Sequence, residues 1–83
     1  MADIETKADA AALDVFGVWD QLARLDDELK AEGERLRLSP RGVSADAEGL
    51  LALVERRRQC LERLELRLDD FRQLYRLLKQ AEG

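Results

Sequence analysis

Carboxylates are the side chains best placed for chemistry in this chain. Asp26-Asp27-Glu28 and Asp69-Asp70 are adjacent in sequence. On a helix, adjacent side chains fan apart by about 100° and do not converge on one ion. Glu62, Glu65 and Asp69 do share a helical face and could in principle hold a cation or pass a proton. Arg58 and Arg72 lie within helical reach of them, and a solvated lattice of ion pairs accounts for the whole set. Helical di-metal sites pair their glutamates with a Glu-x-x-His motif, and this chain has no histidine. The commonest general base and metal ligand is therefore missing. Cys60 has no local histidine or helix N-terminus to activate it and reads as a packing residue. Ser39 and Ser44 fall in a turn, and the five glycines form no phosphate-cradling loop. We expect no catalytic, cofactor-binding or metal-ligating residue, and no enzyme.

Arg56-Arg57-Arg58 could contact an anionic partner. On a helix the three spread over some 200°. Arg72, Arg76 and Lys79 align better, but Asp69 and Asp70 dilute them, and no aromatic interleaves for base stacking. Fourteen basic against eighteen acidic residues give a net charge of −4, which argues against a generic nucleic-acid or anionic-membrane binder. A regulator touching nucleic acid through an Arg-rich second helix remains the alternative. The charge is uneven: residues 1–34 hold ten acids and three bases, residues 35–83 eight acids and eleven bases. Two such halves attract each other or a partner of opposite sign.

The elements that would carry these residues are helices. The chain is rich in Ala, Leu, Glu and Arg, with aromatics only 5%. Ala8, Ala11, Val15, Val18, Leu22, Leu25, Leu29, Glu32 and Leu36 recur at steps of three and four, an a/d seam over four heptads. Thr6-Lys-Ala-Asp9 fits a capping box at its start. Gly17 and Gly33 each weaken the helix by roughly 1 kcal/mol relative to Ala, which predicts fraying after Leu29. Pro40 and Gly42 break the chain, and Ser44 is a good N-cap for a second helix. The seam of that helix runs through Leu50, Val54, Arg57, Leu61, Leu64, Leu68, Phe71, Tyr75 and Leu78. The segment "LERLELRL" at 61–68 alternates like a strand over five residues, but the helical period covers about thirty.

The fold expected is all-α: a single antiparallel two-helix coiled-coil hairpin over residues 1–83, with helices at about 7–36 and 45–81 and a turn at 37–44. Positions whose numbers sum to 86 would face each other, placing Leu25 opposite Leu61 and Leu29 opposite Arg57. Glu32 and Arg57 would fall within one layer, and Asp26 and Arg58 on one flank.

Such a hairpin leaves apolar surface uncovered. Ala12, Phe16, Trp19 and Ala23 form a second stripe beside the first seam, while Leu53, Cys60, Leu74 and Ala81 widen the second helix the other way. The two flanks would emerge on opposite sides of the pair. Leu66 and Leu77, almost three turns apart, share the face of helix 2 turned from the seam. Phe16, Trp19, Ala23, Leu53, Cys60, Leu74, Leu66 and Leu77 are thus the candidate partner-binding residues. Exposed apolar patches of this extent mark interfaces. The expected partner is protein: a second copy closing a four-helix bundle as a homodimer, or an amphipathic helix of another protein.

"LARLDDELKAEGER" at 22–35 resembles the first helix of the helical chorismate mutases, which bind a dicarboxylate with Arg and Lys. The resemblance covers some fourteen residues. Glu32 and Gly33 stand where that helix is apolar, the spacing to Arg35 is off by one, and no later Lys/Gln set follows, so no catalytic residue carries over. In kind, the chain is similar to small export chaperones and coiled-coil adaptor subunits. A lone cysteine suits a reducing compartment. No apolar run approaches the roughly 20 residues of a membrane span, and no basic region precedes an apolar one at the N-terminus. The sequence thus predicts a cytoplasmic, non-catalytic interaction module of adaptor, scaffold or chaperone type.

Overall fold

A computed structural model describes residues 2–42 and 47–82, with α1 at Ala2–Arg37 and α2 at Glu48–Glu82. The two helices lie side by side as an antiparallel hairpin, a rod of 63 × 15 × 14 Å. No strand occurs among the described residues. The radius of gyration is 18.7 Å, against about 12 Å for a compact domain of this length.

α1 begins before Thr6, so the Thr6–Asp9 pattern lies inside the helix instead of capping it. Ile4 extends the seam by one step and is half-buried, and Asp3 and Glu5 supply negative charge to the first turn, where the helix dipole favours it. At the other end α1 continues past Leu29 and Gly33 to Arg37. An ion pair from Arg35 to Glu32 spans that last turn, and Leu36 is almost completely buried. Beyond it, the Leu38 and Ser39 amides donate to the Arg35 and Leu36 carbonyls, and the Gly42 amide to the Ser39 carbonyl. Gly42 has φ of 89°, a left-handed conformation open to glycine at little cost. The expected N-cap, Ser44, lies outside the described residues.

α1 presents its seam as the heptads predict: Ala8, Val15 and Leu36 are buried, with Ala11, Val18, Leu22, Leu25 and Leu29 half-buried. α2 keeps most of its expected seam but is turned slightly, so that the stripe of Leu53, Cys60 and Leu74 shares it. Cys60 and Leu64 are its buried residues, with Leu50, Leu53, Arg57, Leu61, Leu68, Phe71, Leu74 and Leu78 half-buried beside them. Val54 and Tyr75, expected in the seam, are exposed. The physical reason is size and polarity. The small Cys60 side chain lets the helices close until its Sγ donates to the Val18 carbonyl at 3.6 Å. Tyr75 on the flank keeps its hydroxyl in water, with Lys79 Nζ 5.5 Å above its ring.

The register also differs from the expected one. Cys60 meets Val18, Arg57 Nε pairs with Asp26 at 2.7 Å, and Glu32 Oε1 lies where a Cβ on Gly49 would come within 3.4 Å. These pairs sum to values between 78 and 83, not 86. Side chains lean toward their own N-termini, so Arg57 reaches turnward to Asp26 from a backbone level nearer Leu22. The hairpin is therefore displaced by about one heptad, a shift that still sets a opposite d. Neither expected ion pair forms: Glu32 pairs with Arg35, and Arg58 with Glu55 and Glu62.

Candidate interaction surface

Which flanks of the two helices share a face is set by the grooves between them. Lys7, Asp14, Gln21 and Glu28 line the grooves on one side, facing Arg56, Gln59, Arg63, Arg67 and Asp70 of α2. Those α1 residues each stand one place before a seam position. Ala12 and Trp19 stand one place after Ala11 and Val18, on the opposite flank, with Phe16 and Ala23 beyond them. On α2, Arg56, Arg63 and Asp70 stand one place before Arg57, Leu64 and Phe71. Val54, Leu61, Leu68 and Tyr75 recur every seven residues, one place after Leu53, Cys60, Arg67 and Leu74, and occupy the other flank. One side of the hairpin is thus rich in charge, with Leu13 exposed among its groove residues, and the other carries the exposed aromatics.

Placing Leu53, Cys60 and Leu74 in the seam is what unites the apolar face. Had they formed the flank, as the sequence led us to expect, the apolar surfaces would stand on opposite sides. Instead Phe16 at 58% and Trp19 at 56% exposure share a side with Val54 and Tyr75, all in water. Leu68, Phe71, Arg72 and Tyr75 line a shallow depression there, and the Phe71 and Tyr75 rings stand 6.2 Å apart, tilted by 42°. Leu51 is exposed at the edge of this face, in line with Arg58 and Arg72.

Of the residues named from the sequence, Phe16, Trp19 and Ala23 lie together on this face, exposed. Cys60 is fully buried between the helices, with Leu53 and Leu74 half-buried beside it, so the cysteine offers no contact surface. Leu66 and Leu77 remain exposed but on α2 away from α1. Val54 and Tyr75 were missed as surface residues. Cysteine is among the most buried residue types, whereas tyrosine keeps a polar end; ranking the two stripes of α2 by those tendencies would have assigned the flank correctly.

Electrostatics at the rim are local. The Arg35 guanidinium holds the Glu32 carboxyl below its usual range, and Arg58 does the same for Glu55. Glu55 and Glu62 in turn raise Arg58, and Glu82 raises Lys79. No cluster of three metal-binding side chains occurs among the described residues, and no described helix is long and apolar enough to cross a membrane. Comparison with family models, with curated proteins and with solved structures returns no match.

Proposed function

We propose that this chain is a non-catalytic interaction module whose apolar face takes up further amphipathic helices, completing a four-helix bundle. One observation carries the reading: the only tryptophan and a phenylalanine stand more than half in water, side by side with Val54 and Tyr75 on one side of a two-helix rod. Exposed aromatics at the centre of an apolar patch are the residues that dominate interface energetics. Phe16 and Trp19 are the anchors, Val54, Leu61, Leu68 and Tyr75 the floor, and the exposed charges beyond them the rim. A lone buried thiol fits an adaptor or chaperone-like subunit working in the cytoplasm.

At 56% exposure, Trp19 leaves about 140 Å² for a partner to cover. At 25 cal/mol per Å² that is about 3.5 kcal/mol, or roughly 300-fold in affinity per site. The test is the double variant Phe16→Ala, Trp19→Ala, assayed by sedimentation, apolar-dye binding and circular dichroism. The reading requires that self-association or dye binding falls while helicity is kept. Collapse of the helical signal would make Trp19 intrachain core. Unchanged mass and dye binding would remove the face as a site.

A further inference from the structure

Resting on that reading, we infer that the occupant of the apolar face is a second copy of this chain, bound about a two-fold axis parallel to the helices, with both turns at one end and α1 of each copy against α2 of the other. Three observations lead there. The first is surface. The chain exposes 6515 Å², whereas a compact monomer of its mass exposes about 5,000 Å². The excess of about 1,500 Å² per chain, covered in a dimer, falls in the range of obligate homodimer interfaces.

The second is the core. Only Ala8, Val15, Leu36, Cys60 and Leu64 are buried among the described residues. Without a disulfide, a chain of this size with so thin a core is usually stapled by a metal, by cyclisation or by oligomerisation. A second copy supplies the missing layer wherever the chain is made.

The third is charge, and it selects the orientation. A two-fold axis in the plane of the face allows two arrangements. With the turns apart, α1 lies on α1 and α2 on α2. With the turns together, α1 lies on α2. α1 carries ten acids and five bases, α2 seven acids and eight bases. Turns apart would set two helices of charge −5 against each other; turns together sets −5 against +1. An axis along the rod also preserves height. Glu5 and Asp9 of one copy then come level with Arg72 of the other, and each Trp19 with the other's Leu61.

The experiment combines sedimentation with distance measurement between spin labels at Pro40→Cys, in a Cys60→Ala background. Pro40 is exposed in the turn. The expected result is a dimer of the 9.5 kDa chain with labels closer than about 30 Å, the width of a four-helix bundle plus linkers. In a rod of 63 Å, turns apart would place them near opposite ends, and a dimer with such a distance overturns the orientation. A monomer that binds apolar dye, and loses it with Trp19→Ala, overturns the second copy while leaving the interaction face standing. A dimer indifferent to Trp19→Ala overturns both.

Discussion

Cys60→Leu tests the rotation of α2, on which the single apolar face depends. Cys60 is fully buried and its sulfur sits 3.6 Å from the Val18 carbonyl oxygen. A leucine there must hold its extra methyl groups where backbone already stands, so the helices separate locally or the side chain leaves its rotamer. Overpacking of this kind costs about 1–3 kcal/mol. For a domain of this size each kcal/mol moves Tm by about 4–8 °C, giving a fall of roughly 5–20 °C. The assay is thermal circular dichroism at one fixed protein concentration, since any association makes Tm concentration-dependent. Thiol modification gives a second, independent readout. A buried thiol reacts only through opening of the hairpin, so the native protein should react more slowly than the denatured chain. A Tm that holds or rises, together with a thiol that reacts at the free rate, would refute the reasoning. Cys60 would then lie on a flank and the apolar surface would be split between two sides.

Gly33→Ala should raise Tm by about 4–8 °C, because a Cβ there meets nothing within 4 Å and Ala is favoured over Gly by about 1 kcal/mol inside a helix. Gly42→Ala should lower it although the space is equally open, because φ of 89° strains any L side chain; equal melting of both variants would contradict the turn geometry. Acid should weaken the fold through Glu32 and Glu55. Both are depressed in the folded chain by arginine hydrogen bonds, so their contribution is present above the ordinary value of 4.5 and is lost as pH falls through the folded value. Melts from pH 7 to 2.5 should decline below about 4.5, and Glu55→Gln should flatten part of that decline; a Tm rising on acidification would reverse the sign.

The helices were legible because their apolar period holds for some thirty residues, long enough to override both glycines of α1 and the brief alternation at 61–68. The seam of α1 was legible for the same reason. The rotation of α2 was not, because two stripes compete there. One runs through Val54, Leu61 and Tyr75, the other through Leu53, Cys60 and Leu74, and both share Leu50, Arg57, Leu64, Phe71 and Leu78. Periodicity cannot separate stripes that differ by one residue, and side-chain volume decides between them. The register was hidden for a related reason: any shift by a whole heptad keeps a opposite d. Local ion pairing also outweighed the longer-range pair: Arg35 stands three residues from Glu32, on the same turn, whereas Arg57 is on the other helix. The exposure of Phe16 and Trp19 beside the seam was readable because their stripe has no competitor on α1.

The slight rotation of α2 changes what kind of assembly the hairpin can enter. Apolar flanks on opposite sides would make each hairpin sticky twice, and contacts of that kind add subunit after subunit into open arrays. In the proposed two-fold pairing, one apolar face backed by a charge-rich one leaves no equal surface for a third copy. The backing face is lined by Arg24, Arg56, Arg63 and Arg67 interleaved with Asp14, Glu28 and Asp70, with Leu13 and Leu74 among them, and mixed charges resist stacking. Leu66 and Leu77 sit on α2 away from the seam as separated exposed leucines, and a singly exposed leucine needs no partner to explain it. On that proposal, the placement of one small residue, Cys60, between the helices favours a closed arrangement over an open one.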